Sequence, residues 1–288
     1  MLIEKPHMNT KPTEFLSQET EIKVLEALLP YVRKSFVDIG AEKGTLSLFL
    51  AEHGFDGVCV EPLPKHFEGL AALAATHSVR HLPFAIDEKD GEAEFHLACD
   101  DNGQPLDFFH SLQPLQNDAR VKHQQKIEVK CRSLESLCAD GLIEKELGIL
   151  KIDTEGNDLR VLRGSGPVRA DVVLCEFFTR GIYNGWEEAA PGGLIAKAQQ
   201  LGYEWWIAVR RRDAAELVSL GTTSFLDLEW GNLIFMTKHA FEGARDKLGA
   251  LVLESEARLL SRQSPAKKKP RNGWLTRLWR ERNVCNPH

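Results

Sequence analysis

Apolar positions alternate between two periods along most of this chain. Glu19 to Val32 carries Ile22, Leu25, Leu28, Leu29 and Val32 at helical spacing, with Pro30 near the end. Ser35 to Ile39 is a short apolar run that reads as a first strand, and Leu46 to His53 as the helix after it, closed by Gly54. Gly57 to Glu61 reads as a second strand, and Phe67 to Thr76 as a helix behind Pro62 and Pro64. Strands follow at Val79–Ala85, Gly91–Ala98 and Ile127–Cys131, then a short helix at Leu134–Asp140. Leu147 to Asp153 is the most apolar strand, followed by a polar turn and a helix through Leu162. Asp171–Phe178 is a further strand carrying Glu176, and Leu194–Leu201 a helix. Tyr203–Val209 and Gly231–Thr237 are two late strands joined by a polar connection, and His239–Arg262 is one long helical pattern.

Strands alternating with helices predict an α/β fold with a mostly parallel sheet covered by helices on both faces. The late pair without an intervening helix predicts an antiparallel edge strand. The expected organisation is a polar extension over 1–18, the main domain over 19–238, a helix over 239–262 and a basic tail over 263–288. The 288 residues suffice for one sizeable core.

Charge changes this picture only at the end of the chain. The total is −6, but from Gln263 onward seven basic residues face one acid, a net +6, so the remainder carries −12. An acidic body offers no electrostatic track for nucleic acid. In the tail, Trp274, Leu275, Leu278 and Trp279 share one helical face, so it reads either as a plain disordered segment or as a weak contact with an anionic membrane surface. Six cysteines without a C-x-x-C pair fit a reducing, cytoplasmic setting and not a structural zinc site. Cys59 and Cys175 lie in apolar runs and read as buried thiols. Met1 to Thr20 has no apolar signal core, Met8 is an alternative start, and no segment approaches the roughly 20 apolar residues of a membrane span.

Three acids, Asp38, Glu61 and Asp153, stand at the expected C-terminal ends of strands, which share one crevice in an open parallel sheet. After the first strand comes Asp38-Ile39-Gly40-Ala41-Glu42-Lys43-Gly44. Gly40 permits a sharp turn beside a ligand, and the amides around Gly44 open the next helix. Glu61 follows at the distance where such folds place an acid on ribose hydroxyls, the competing reading being a cap on the Pro62 turn. A nicotinamide site would show G-x-G-x-x-G for close approach to a pyrophosphate. Here Glu42 occupies the turn, and a carboxylate suits a ligand that brings a cation and no phosphate. S-adenosylmethionine is such a ligand.

Val37 to Gly44 with Leu46-Ser47-Leu48 resembles the first motif of the FkbM-type methyltransferases. Glu61-Pro62-Leu63-Pro64 resembles their Glu-Pro-x-Pro turn, and Leu134-Glu135-Ser136-Leu137 their Leu-Asp-x-Leu segment. Ile149 to Gly156, with Leu162-Arg163-Gly164 behind it, resembles their Ile-Lys-x-Asp-x-Glu-Gly motif. The resemblance spans about residues 36 to 178. It implies a class I, Rossmann-like methyltransferase that uses S-adenosylmethionine, with O-methylation of a sugar, glycan or related small molecule as the usual activity. It assigns Asp38, Gly40, Gly44 and Glu61 to the cofactor, and Asp87 to a turn near adenine. Glu42 stands where family members often carry Asn. It is assigned to the cofactor's ammonium, and is the one feature favouring the alternative of an inactive methyltransferase-like binding module.

For chemistry, Asp153 is expected to position cofactor or acceptor, and Glu155 either to take the hydroxyl proton or to cap the next helix. Asp158 reads as such a cap. Asp153, Glu155 and Asp158 together could instead hold Mg²⁺, a reading not favoured over a metal-free site. Glu176 is expected beside the acceptor. His110 and His123 lie in a polar stretch expected as a cover for the site and are read as surface histidines before general bases, and Lys151 as snorkelling or paired.

Overall fold

The first strand, β1 (Ser35–Ile39), is buried from Phe36 to Ile39, with Asp38 the one charged residue inside its apolar run. A computed structural model describes residues 18–100, 102–106, 109–115, 121–179, 186–212 and 215–262; the basic tail and all but the last residue of the N-terminal extension lie outside these. Before β1, α1 (Glu19–Leu28) passes into a 3-10 turn at Leu29–Tyr31, where Pro30 can no longer supply a helical N–H. Then come α2 (Thr45–Glu52), β2 (Asp56–Val60), α3 (Phe67–Thr76), β3 (Val79–Leu82) and β4 (Ala85–Ile86). The chain continues through β5 (Gly91–Cys99), β6 (Lys122–Arg132), α4 (Leu134–Ala139), β7 (Glu146–Ile152), α5 (Asp158–Arg163) and β8 (Arg169–Phe178). It closes with α6 (Pro191–Gln200), β9 (Trp205–Arg212), β10 (Ala215–Leu220), β11 (Trp230–Met236) and α7 (Lys238–Arg262).

Eight strands form the main sheet in the order β10-β9-β11-β8-β7-β1-β2-β3. From β8 to β3 every pairing is parallel. At the other side β11 runs antiparallel between β8 and β9, and β10 antiparallel to β9 forms the edge. The antiparallel part is therefore wider than one strand. β10 lies in the connection that the sequence pattern reads as merely polar. Its residues are mostly half-exposed, so no apolar run announces it. The expected strand Val79–Ala85 splits at Pro83: β3 stays in the main sheet, while β4 joins β6 and β5 in a small second sheet.

Two apolar layers cover the main sheet. Leu134, Val161 and Leu194, from α4, α5 and α6, pack with Val37, Leu150 and Val173 on one face. Leu25, Leu50, Leu70 and Ala244, from α1, α2, α3 and α7, pack with Phe36, Ile149 and Ile234 on the other. A third cluster, including Ala98, Phe109, Phe178, Ala189 and Trp230, lays the segment after β5 over the C-terminal end of β8. That segment roofs the side of the sheet where the strand-end acids emerge. Among the described residues no helix is long and apolar enough to cross a membrane.

Candidate active site

β1 and β7 are neighbours, and their register sets Asp38 opposite Lys151. Lys151 is buried and meets two carboxylates and a carbonyl. Its Nζ lies 3.1 Å from Asp38 Oδ1, 3.4 Å from Asp153 Oδ2 and 3.0 Å from the Gly40 carbonyl, to which it donates. Burial works against the lysine charge, but Asp38 and Asp153 outweigh it and hold the pKa above the ordinary value. Lys151 is therefore paired and does not snorkel. Asp38 also accepts from Ser47 Oγ at 2.7 Å and is 1% exposed. Its carboxylate is held by Ser47 and Lys151, and the residue is not part of the cleft lining described below.

The two motif glycines answer to the protein itself. Gly40 has φ +70°, and a Cβ there would lie 1.9 Å from the Asp153 carbonyl oxygen. The collision that excludes a side chain is thus with the β7 strand end. Gly44 also has positive φ, and a Cβ would press on Leu70 and Leu73 of α3. Gly44 caps α2 in the left-handed conformation, as expected of a residue opening that helix.

Glu61 follows β2 and is buried. Its Oε2 accepts from the Glu42 amide at 3.0 Å and its Oε1 from the Leu63 amide at 2.9 Å. The Leu63 bond is the turn cap that competed with a ligand role, so both features coexist at one carboxylate. Burial pushes Glu61 up to about 7, against the pull of the two amides and Lys151. Glu42 contributes its backbone amide to Glu61, while its carboxylate lies 3.4 Å from Lys43 Nζ. Its backbone has φ +50°, a left-handed conformation costly for a residue with a side chain.

Glu61, Gly40 and Asp153 line one cleft with Thr154, whose other walls are apolar: Phe84, Ile86, Phe95 and Leu112. The cleft encloses about 50 Å³. That holds a water or two, too little for a nucleoside without movement of the lining. The wall chemistry suits one: flat apolar surface beside an acceptor-only carboxylate.

Beyond Asp153 the turn brings together a different set of acids from the expected one. Carboxylate oxygens of Asp153, Glu155 and Glu176 lie within 4.8 Å of one another. Asp158 does not join them: it is the acid in the first turn of α5, directly after the N-cap Asn157. It is fully buried and accepts from Thr154 Oγ1 at 2.9 Å and from the Glu176 amide at 3.3 Å, so it fastens the turn to β8. Burial, then the charge of Asp153, raises its pKa well above the ordinary value. The Mg²⁺ set of Asp153, Glu155 and Asp158 is therefore not assembled. Glu155 has φ +53° and stands two residues before Asn157, the N-cap of α5. Asp87 is drawn away from the cleft: Arg160 binds it at 2.6 and 2.9 Å, and the Glu88 amide donates at 2.7 Å. Burial disfavours its charge, yet Arg160 and these donors hold its pKa below the usual value.

The polar stretch around His110 does lie over the acidic turn. Ser111 Oγ donates to the Glu155 carbonyl at 2.7 Å, and Gln113 Nε2 to Asn157 Oδ1 at 3.0 Å, tying 109–115 onto the acidic turn. His123 holds the same segment. Its Nε2 lies 2.8 Å from the Phe109 carbonyl and its Nδ1 accepts from the Leu115 amide at 3.1 Å. Burial lowers it to about 4, so it stays neutral with both nitrogens occupied. His110 is buried too, and its Nδ1 accepts from the Ala98 amide at 2.8 Å. Neither is a surface histidine. The only sequence signal was their place in a polar stretch between two strands.

Known proteins resemble this chain at two levels. Among solved structures, a precorrin-6y C5,15-methyltransferase from Geobacter metallireducens is 10% identical, with TM-score 0.39, covering 79% of this chain and 93% of its own. An rRNA methylase from Streptococcus thermophilus is 6% identical, with TM-score 0.37, covering 79% and 99%. Likenesses this distant say nothing of substrate. No protein with a curated description matches the chain. The model of the methyltransferase FkbM domain, however, matches residues 38–204, more than half of the sequence, including the crevice acids Glu61, Asp153 and Glu155. The chain belongs to the FkbM methyltransferase family.

Proposed function

We propose that this methyltransferase transfers a methyl group from S-adenosylmethionine to a hydroxyl of a sugar, glycan or related small molecule. The observation that carries the reading is the placement of Glu61 and Asp153 on one cleft, with Glu155 and Glu176 next to Asp153. S-adenosylmethionine brings a methyl group on a sulfonium, together with ribose hydroxyls and an ammonium. Glu61, held by two amides, accepts from the ribose hydroxyls. Phe84, Ile86 and Leu112 take the adenine. Asp153, fixed by Lys151, offers negative charge to the cationic end. Gly40, Gly44, Asp38 and the Glu42 amide act through the turn, and Asp87 through Arg160.

Glu155 Oε takes the proton of the acceptor hydroxyl, as a general base usually worth about 10²–10⁴-fold in rate. Alignment of the acceptor supplies much of the remaining rate. Turnover with a panel of hydroxyl acceptors, measured by release of S-adenosylhomocysteine, tests the reading. Wild-type turnover in both Asp153→Asn and Glu155→Gln would remove these acids from the mechanism. Failure of the wild-type chain to bind S-adenosylmethionine would sink the enzyme reading altogether.

A further inference from the structure

A second and larger cavity, of about 320 Å³, opens on the far side of Leu63 from the cleft. Its floor is buried and mostly apolar: Leu63, Ala98 and Cys99, with the His110 ring. Half-buried Leu97 and Ile127 form a wall, and exposed Gln124 and Gln125 a polar rim. The volume is within the lower range of small-molecule sites, and the mixture of apolar floor and few polar groups is typical of them.

Two features tie this cavity to the reaction crevice. The turn after β2 serves both, with Glu61 and Pro62 on the cleft and Leu63 and Pro64 on the cavity. β5 also serves both. Phe95 faces the cleft, and Leu97, two residues on and hence on the same side of the strand, faces the cavity. In the roof, His110 closes the cavity while the next residue, Ser111, binds the Glu155 carbonyl.

A bulge makes the room. β6 pairs Gln125 with Leu97 and His123 with Ala98, leaving Gln124 as an extra residue in the ladder. Such an insertion re-aims side chains, and here it puts Gln124 and Gln125 together on the cavity rim. A bulge in an otherwise regular hairpin, placed beside a crevice, is a shaping device more often than a defect.

We infer that this cavity is the acceptor subsite, and that it takes an apolar portion of the acceptor while the hydroxyl to be methylated reaches the acids across Leu63 and Ser111. The lining divides between hydrocarbon, from Leu63, Leu97, Ala98 and Ile127, and hydrogen-bonding groups, from Lys65, His110, Gln124 and Gln125, so it suits a ligand with both an apolar and a polar portion. The substrate class is a hydroxyl compound with an aliphatic or other apolar substituent, such as an alkyl-linked sugar. This rests on the reading of the crevice as a methyl-transfer site.

Octyl β-glucoside and methyl β-glucoside share one sugar and differ in the apolar group, so they serve as probes. Calorimetric titration below the micellar concentration should show the octyl compound binding at least tenfold more tightly. Leu97→Trp and Ile127→Trp, two independent ways to fill the cavity, should reduce that preference to less than twofold. S-adenosylmethionine affinity and thermal midpoint, read in parallel, separate a filled cavity from a misfolded chain. Equal binding of the two glucosides to the wild-type chain overturns the inference, as does a preference retained in a folded, filled variant. If the chain prefers the octyl compound yet binds no S-adenosylmethionine, the cavity stands and the methyl-transfer reading falls.

Discussion

Two buried cations organise opposite halves of the sheet, and they end differently. Arg211 on β9 is 2% exposed and bonds Glu21 of α1 at 2.6 and 2.7 Å and Glu216 of β10 at 2.9 Å. Asn232 of β11 donates to the same Glu21 at 2.7 Å, and the guanidinium lies over the Trp230 ring. Glu21 and Asn232 are buried with it and the guanidinium grips Glu21 in a two-pronged pairing, while Glu216, 19% exposed, lies on the edge strand and lines neither the cleft nor the larger cavity. Lys151 on β7 is a point charge with three partners. One of them, Asp153, has a carboxylate 23% exposed and turned to the cleft. The antiparallel half uses a closed cluster to pin α1. The parallel half uses an open one to aim an acid.

The most severe test of the open cluster is Gly40→Ala. The added methyl would meet the Asp153 carbonyl, in a conformation alanine resists. The expected loss is more than about 4 kcal/mol, read by urea unfolding. A stable variant would show that β1 and β7 need not approach so closely.

Next come the cations themselves. Arg211→Met and Lys151→Met should each cost about 3–5 kcal/mol, because each leaves buried carboxylates without their partner. Cofactor affinity should then divide the two. Lys151→Met should weaken S-adenosylmethionine binding through Asp153, and Arg211→Met should leave it within about twofold of wild type in the folded fraction. Equal losses of affinity would abolish the distinction between closed and open clusters. At constant stability, Glu155→Gln should lower turnover by about 10²–10⁴-fold with little change in cofactor affinity. Loss of affinity in place of turnover would move Glu155 from proton transfer to binding.

The same division governs what could be read beforehand. Parallel strands advertise themselves, because burial on both faces demands near-continuous apolar runs such as Phe36 to Ile39 and Leu147 to Ile152, each broken by a single charged residue. The strand-end acids Asp38, Glu61 and Asp153 were visible for the same reason. Which way each carboxylate turns was not, since it depends on partners far along the chain: Asp38 meets Lys151, and Asp87 meets Arg160. Nor did local pattern mark β10, which is half-exposed, or the Glu21–Arg211 pair, whose members are 190 residues apart. The acidic trio was half legible. Asp153 and Glu155 share a motif, but Glu176 arrives on β8 through sheet register, while the nearer Asp158 turns inward.

Glu61 offers the most direct measurement. Burial raises it to about 7 from an ordinary value of 4.5. Its uncharged form therefore adds stability below the unfolded pKa, and that contribution is lost as pH rises through about 7. Ribose hydroxyls need the charged form, so ligand binding should run the other way. Between pH 6 and pH 8 the charged fraction rises from about one in eleven to about ten in eleven. Calorimetric titration of S-adenosylmethionine at these two pH values should show about tenfold tighter binding at pH 8 for the wild-type chain, beyond any change seen in Glu61→Gln. The same pH dependence in Glu61→Gln, or none in the wild-type chain, would contradict Glu61 as the carboxylate that receives the cofactor.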